Sequence, residues 1–543
     1  MLKDTQFLSR YRLGILLLVS AFLRLFFASY IELGNDEVYY INYALYPDLS
    51  HFDHPPMVGW FIQLFTLNLH FDTETWIRLA SVVSGTLNTW LIYLIGKKLA
   101  GASAGWYSAL LYTSSFYGFI IAGTFIMPDS PQMLFWLMTV LFLLNSLESQ
   151  TNPGDNTSSG STYQWAWFLL AGLSAGMALL SKYTSAFLLF GTLIYFFHKP
   201  SMFRKWYVYA AVLLALLSFL PVIIWNYNND FISFTFHSER VEITESLFKP
   251  KAFLTELAGQ VLYNNPVVFI LIITGLVAIL RKKLQLANDY GYLLFFIAAP
   301  FILLFLGFSL FRSTLPHWTG PAYVTLIPLA GAWISQKTTC GKLNKLFPRA
   351  VISALSITAV VLVLALLQFN NNLIFNKGID PHTGKRLGWK DITLDMYGWK
   401  QLNKGFTRLY REDLKTGRMD STAVIISHRW FPAANIDYYV ARPNGIKVLT
   451  MAPLERTHKY AWITEYRGGF KPGMDAYFIS SSYDFEDPHA HYEKDFTILP
   501  PDTIPVYRQK LLVKYYYVWR LKKLQYHNQN QPVDLTSTPS ILK

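Results

Sequence analysis

The sequence holds a single cysteine, Cys340, among 543 residues. That excludes an intramolecular disulfide and any zinc cluster built from cysteines. Charge is scarce as well. Asp, Glu, Lys and Arg make up 15% of the chain, against about 25% in a soluble domain. There is no Walker A sequence, no GxGxxG and no HExxH, so the common nucleotide and metalloprotease signatures are missing. No period of 20–50 residues recurs. These absences argue against an ordinary soluble enzyme, a coiled coil and a repeat protein.

What the sequence has instead is apolar length. Hydrophobic residues account for 52% and aromatics for 17%. A helix needs about 20 mostly apolar residues to cross a bilayer. Candidate runs fall at 13–31, 75–96, 102–124, 130–147, 164–181, 183–198, 206–226, 259–280, 290–311, 316–336 and 350–368, eleven in all. The first lacks a small-residue cleavage site and reads as a retained helix rather than a signal peptide. The net charge of +13 is explained by where the basic residues lie. Lys3, Arg10 and Arg12 precede the first run, and Lys97 and Lys98 follow the second. Lys199, Arg204 and Lys205 follow the sixth, Arg281 to Lys283 the eighth, and Lys337, Lys342, Lys345 and Arg349 separate the last two. Counted from an inside N-terminus, every cluster is cytoplasmic, as the positive-inside rule requires. Nucleic acid is therefore not needed to explain the charge. The loop 148–163 also counts as inside and reads as a flexible linker.

An odd number of spans places the remainder outside. Residues 369–525 mix polar residues with short β-like runs at 423–427, 446–449, 476–480 and 511–519, and a helix-compatible stretch at 433–440. Strands alternating with helices predict a small α/β domain. Residues 526–543 are rich in Asn, Gln, Pro, Ser and Thr and read as a disordered tail. The expected architecture is a polytopic α-helical membrane protein of about 11 spans. A membrane module occupies 1–368, with a large first outer loop at 32–74, and a C-terminal periplasmic α/β domain follows it.

The informative residues are the polar ones in outer loops and at helix ends. The first outer loop opens Gly34-Asn35-Asp36-Glu37 and continues to His51-Phe52-Asp53-His54-Pro55-Pro56. Asp36 and Glu37 suit the first turn of a short helix, which acids favour, and they equally suit proton transfer. Asp129, after Met127-Pro128, suits a helix N-cap. Lys182, beside Tyr183, stands against the inside bias of the other lysines. Either it snorkels to headgroups or it holds an anion. Further polar residues on the same expected side are His237, Arg240, Arg312 and His317; Arg24 and Arg78 fall within helices. Charges inside a membrane segment are functional candidates. Acids and cations on one membrane face suit a reaction in which a carboxylate deprotonates an acceptor and cations hold an anionic leaving group. A second reading is a multi-pass transporter or scaffold with an outer binding domain. A transporter keeps its acids near the bilayer midplane.

Asp36-Glu37 after the first helix, Phe52-Asp53-His54-Pro55-Pro56, Met127-Pro128-Asp129 with Leu134-Phe135-Trp136, Gly172 through Lys182-Tyr183, Phe234 to Arg240, Pro316-His317-Trp318 and Gly388-Trp389 follow one another in order. In this they resemble the bacterial members of the dolichyl-phosphate-mannose protein mannosyltransferase superfamily, which includes the aminoarabinose transferases of lipid A. The resemblance implies a GT-C fold in the bacterial inner membrane. It also implies an inverting transfer from a polyprenyl-phosphate-linked sugar donor to a protein or glycolipid acceptor on the periplasmic side. It implies catalytic roles for Asp36, Glu37 and Asp129, and contact of Lys182, Tyr183, His237 and Arg240 with the donor phosphate. Asp53, His54, Arg78 and His317 would act in acceptor binding or support. No cofactor is required by the resemblance, and a divalent metal near His237 is compatible with it. His54 stands where the aminoarabinose branch has a lysine, so neither that sugar nor its acceptor carries over.

Overall fold

The computed structural model describes residues 2–148, 163–241, 248–287, 289–340, 346–371, 387–388 and 391–525. The expected tail at 526–543, most of the 148–163 linker and Trp389 lie outside the described residues. The chain divides into two compact units, Met1–Ser29 with Asp48–Val361 and Tyr30–Pro47 with Leu362–Lys543. The segment that carries Asp36 and Glu37 is therefore part of the second.

The first unit is helical. Its elements are α1 (Leu2–Tyr30), whose last residue passes into the second unit, α3 (Met57–Phe65), α4 (Glu74–Ser114), α5 (Asp129–Glu148), α6 (Gln164–Leu179) and α7 (Ala186–His198). They continue with α8 (Trp206–Asn228), α9 (Ile232–Val241), α10 (Pro250–Tyr263), α11 (Pro266–Leu280), α12 (Tyr290–Ser309), α13 (Gly320–Cys340) and α14 (Arg349–Asn371), which passes into the second unit at Leu362. Every apolar run predicted from sequence overlaps one of these, although 259–280 is split between α10 and α11 and 102–124 runs past the end of α4. Fewer of them meet the length and apolarity of a complete span. Among the described residues six do: Tyr11–Tyr30, Glu74–Ser114, Asp129–Leu147, Trp206–Asn228, Tyr290–Ser309 and Arg349–Asn371. A seventh is reached if α10 and α11, bent by 96°, count as one. The difference from eleven has local causes. Two predicted spans are halves of α4, which breaks at Ala100 and Gly101; Gly101 has φ 83° and ψ 178°, a conformation that only glycine adopts readily. The helices at 164–179 and 183–198 are short. Asn265, with φ 64°, turns the chain between α10 and α11, and its amide donates to the Ala354 carbonyl (2.9 Å) and to Thr358 Oγ1 (3.1 Å).

Leu213, Leu216, Leu217, Leu220, Ile223 and Ile224 on α8, and Val360, Val363 and Leu364 on α14, are exposed. Such apolar faces are stable in lipid and not in water, and the chain is a membrane protein. Helices that cannot use hydrophobic burial against one another in lipid pack through small residues. A Cβ at Gly172 would lie 2.2 Å from the Ala211 carbonyl oxygen, so α6 and α8 meet backbone to backbone. A Cβ at Gly331 of α13 would lie 2.1 Å from Ser108 Oγ of α4.

The second unit is α/β. Strands β1 (Val424–Ser427), β2 (Val448–Thr450), β3 (Ala476–Ser481), β4 (Thr497–Ile498), β5 (Asp502–Arg508) and β6 (Leu511–Lys522) form a sheet of order β2-β1-β3-β6-β4. β5 pairs with the rest of the β6 edge that β4 occupies. β1 pairs with β2 and β3 in parallel; β3 and β6 are antiparallel. Period-2 alternation puts Val424, Ile426, Phe478, Tyr517, Trp519 and Leu521 in one core. The opposite face receives α15 (Trp399–Thr416), where Phe406 meets Tyr477 with ring centroids 5.2 Å apart. Asp413 of α15 ties to the sheet by accepting from Tyr477 Oη (2.9 Å) and Arg520 Nε (2.6 Å).

The short helix α2 (Asn35–Leu45) joins this unit through its tyrosines and asparagine. Asn42 donates to Tyr460 Oη (3.3 Å), Tyr46 accepts from Arg467 Nε (3.0 Å), and Tyr39 accepts from the Lys459 amide (3.3 Å). Glu32, just before α2, accepts from the amides of Trp399 (2.8 Å) and Lys400 (3.2 Å) at the start of α15. A carboxylate at a helix N-terminus satisfies amides that have no partner inside the helix.

Candidate active site

Four irregular points of the helical unit bring its polar side chains together. A π-helical segment, Tyr117–Ile121, carries Tyr117. Asp129 is the first residue of α5, and Lys182 lies in the extended bend between α6 and the 3-10 turn Tyr183–Ser185. His317 sits in the 3-10 turn Pro316–Thr319 that opens α13. Helix breaks leave side chains free to point at one another, which a continuous helix does not allow.

Lys182 Nζ donates to Asp129 Oδ2 at 2.7 Å, and Tyr117 Oη donates to Asp129 Oδ1 at 2.9 Å. Asp129 is 1% exposed and Lys182 6%. Both carboxylate oxygens are thus occupied, and His317 lies within electrostatic reach of the pair. Gly320 makes the arrangement possible, since a Cβ there would fall 2.3 Å from the Tyr117 ring. One turn along α5, Gln132 donates to Thr184 Oγ1 (2.9 Å) and Ser185 Oγ (3.0 Å), which fixes the backbone that follows Lys182.

A second group adjoins through the loop before α3. His237 Nε2 lies 2.8 Å from the Asp53 carbonyl oxygen. The His54 and His237 rings are 6.2 Å apart, and Tyr183 meets His237 edge-on at 5.1 Å. Phe52 packs on Phe236 at 4.5 Å, and Ser233 donates to the His51 carbonyl at 3.1 Å. Burial pushes the His54 imidazole down to about 3; Lys182 and His237 add to the shift, while Asp53 and Asp129 oppose it. His54 is therefore neutral at pH 7.

The predicted residues thus separate. Asp129, Lys182 and His317 form one cluster, and Asp53, His54, Tyr183 and His237 another. Arg78 Nη1 donates to the Ala28 carbonyl (3.0 Å) and its guanidinium covers Phe125 at 5.2 Å, which is a helix-to-helix brace. Arg240 belongs to α9, but its side chain lies outside the described residues. Asp36 and Glu37 sit in the first turn of α2 in the other unit. Their environments differ. Asp36 is exposed; Glu37 is 2% exposed, and its Oε2 accepts from the Gly34 amide at 2.8 Å as half of a capping box. The first is presented to solvent and the second holds the turn.

Sequence reasoning missed Tyr117, which lies in an apolar run with no motif around it. It also missed Gln132, whose signal was its place three residues after Asp129 on an otherwise apolar helix. Among the described residues no group of three or more His, Cys, Asp or Glu side chains is placed to hold a metal ion.

The model of the dolichyl-phosphate-mannose-protein mannosyltransferase family matches residues 53–225, which include Asp53, His54, Asp129, Lys182 and Tyr183. ArnT from Cupriavidus metallidurans bound to undecaprenyl phosphate superposes with a TM-score of 0.61 at 14% identity, covering 94% of this chain and 98% of that one. The apo form of the same ArnT gives 0.57 at 13% identity with the same coverage. No curated protein matches the sequence. The likeness to ArnT is one of fold over most of the chain, and the family model covers residues 53–225.

Proposed function

We propose that the protein is an inverting glycosyltransferase that moves a sugar from a polyprenyl-phosphate donor to an acceptor hydroxyl or phosphate on the periplasmic face of a bacterial inner membrane. The observation that carries the reading is the buried Lys182–Asp129–Tyr117 cluster at the helix breaks of a GT-C fold. In the proposed reaction the acceptor oxygen attacks the anomeric carbon, the bond from that carbon to the phosphate oxygen breaks, and polyprenyl phosphate leaves with the electron pair. Asp36 takes the acceptor proton. Its exposure and its place in a braced helix turn support this role over Glu37, whose carboxylate is engaged in capping. Lys182 has three N–H bonds, of which Asp129 takes one; the others serve the leaving phosphate, and Asp129 aims the ammonium. His237 and Tyr183 extend the donor site.

The test is release of undecaprenyl phosphate by purified protein given an undecaprenyl-phosphate-linked sugar and a glycolipid or peptide acceptor. Lys182→Ala lowers turnover and donor affinity together. Unchanged donor use in a folded Lys182→Ala protein would refute the phosphate assignment.

A further inference from the structure

Arg24 of α1 carries a charge that the proposed chemistry does not use. Its side chain is fully buried, and among the described residues none of its three nitrogens has a hydrogen-bond partner. Tyr112, not a carboxylate, is the titratable group within its electrostatic reach. A charged group that makes no hydrogen bond is costly to bury. A charge kept inside a membrane segment is a functional candidate. What the guanidinium touches indicates the function.

It meets the π-helical segment Tyr117–Ile121 and the turn that ends it. Arg24 Cζ lies over the Phe119 ring, 4.8 Å from the centroid. A Cβ at Gly123 would fall 2.8 Å from Arg24 Nε and 2.6 Å from the Gly118 carbonyl oxygen, so the guanidinium and the segment crowd one point. Gly85 of α4 closes on the same point. A Cβ there would lie 2.6 Å from Gly123 Cα and 3.0 Å from Arg24 Nε. Tyr112 of α4 packs on the segment as well, since a Cβ at Gly118 would fall 2.7 Å from its ring.

The same segment carries part of the candidate site. Tyr117 is its first residue and donates to Asp129 Oδ1 at 2.9 Å; Phe119 is two residues further on. π-Helical turns are rare and recur at functional sites. This one is held by a cation on a ring face, an attraction that strengthens where water is excluded. An apolar side chain at position 24 would fill the space without that attraction. We propose that Arg24 is a positioning residue for Tyr117. Seated on Phe119 and against Gly123, it fixes the segment so that the Tyr117 hydroxyl reaches Asp129, the partner of Lys182. The consequence for sugar transfer rests on the glycosyltransferase reading above; the positioning of Tyr117 does not.

The experiment is a double-mutant cycle on full-length protein in lipid nanodiscs, read by melting temperature and by transfer from an undecaprenyl-phosphate-linked sugar. Arg24→Met keeps an unbranched apolar stem and removes the cation; Tyr117→Phe removes the hydroxyl. In the wild-type background Tyr117→Phe lowers the melting temperature, because a buried carboxylate loses a donor. In the Arg24→Met background it lowers it by much less, because the hydroxyl has already left Asp129. In transfer, Arg24→Met lowers turnover about tenfold, the loss expected for one hydrogen bond. The double variant is no slower than Tyr117→Phe alone, and Arg24→Lys recovers part of the rate. Phe119→Met takes away the ring face with the arginine in place and gives the same coupling to Tyr117→Phe, so the cycle stands even where Arg24→Met folds poorly. Equal melting losses from Tyr117→Phe in both backgrounds, or rate losses that multiply in the double variant, overturn the positioning role and leave Arg24 a packing residue. Coupled melting, with no transfer by the wild type from any lipid-linked sugar, defeats the glycosyltransferase reading and supports the positioning of Tyr117.

Discussion

Removing one partner of the Lys182–Asp129 pair leaves the other charged and out of water. At 2.7 Å and an effective dielectric near 20, their direct attraction is about 6 kcal/mol before desolvation is counted. Desolvation cancels much of that when both charges are present, and none of the gain remains when one is removed. Single removal of a buried partner costs about 3–5 kcal/mol. Asp129→Asn keeps an acceptor for Tyr117 and removes only the charge, whereas Lys182→Met keeps the stem and removes only the ammonium. Each variant is expected to lower the melting temperature in detergent by several degrees. The double variant contains no orphan charge, so it loses less than the two singles combined, with a coupling of about 2–3 kcal/mol in a double-mutant cycle. Turnover behaves differently. Every variant without the lysine has donor use lowered sharply, by up to about 150-fold, because a charge-assisted contact to phosphate contributes at most about 3 kcal/mol to binding. Stability that is restored in the double variant while activity stays lost separates the two roles. Additive destabilisation would refute the pairing as an energetic unit, and unchanged singles would refute the burial argument.

Asp36→Asn is expected to lower turnover by about 10²–10⁴ with donor binding intact, and Glu37→Gln, which can still accept from Gly34, by much less; donor-binding and rate measurements on both variants decide it. Gly320→Ala is expected to push the Tyr117 ring off Asp129, with a loss of activity that Tyr117→Phe reproduces in steady-state assays. His54 has a folded pKa of about 3, depressed from an unfolded value near 6.5. Between those values the unfolded chain binds the extra proton, so the stability His54 contributes is present above about pH 6.5 and lost as pH falls toward 3. Melting curves from pH 7 to 4 should show that loss, and His54→Asn should reduce its slope. Reporters fused after residue 100 and after residue 400 are expected to read cytoplasmic and periplasmic; the same side for both would overturn the proposed orientation.

The apolar runs were legible because lipid demands a length of uninterrupted hydrophobicity that few other contexts tolerate, and each run is largely helical. Their count as spans was not, because Ala100-Gly101 and Asn265 act through backbone angles, which hydropathy does not record. Four strands were visible from β-branched and aromatic runs. β5 was hidden by Pro505 and by the Pro500-Pro501 before it, since proline argues against a central strand and β5 lies at the margin of the sheet. Asp129 and Lys182 were legible singly, as an acid and a basic residue against the prevailing pattern, but not as a pair 53 residues apart. Asp36 was preferred to Glu37 as the base from its place just after the first helix, its shorter side chain and the motif it matches, but the capping role of Glu37 was not legible. The turn geometry shows that role, since the third residue of a helix can reach back to the cap and the second cannot.

The bonds of α2 also set an order in time. The partners of Asn42, Tyr39 and Tyr46 are synthesised about 420 residues after them. At roughly 5–20 residues per second, the segment with Asp36 leaves the ribosome about 20–80 s before the residues that hold it. Throughout that interval α1 is already available for insertion, while the helix beyond it is a short peptide with no partners. An eleven-residue helix is marginal on its own in water. The nascent chain therefore carries its acid on an unformed helix, and that helix is braced only after Tyr460 and Arg467 have been synthesised. A chain truncated before them keeps Asp36 and lacks the frame that aims it.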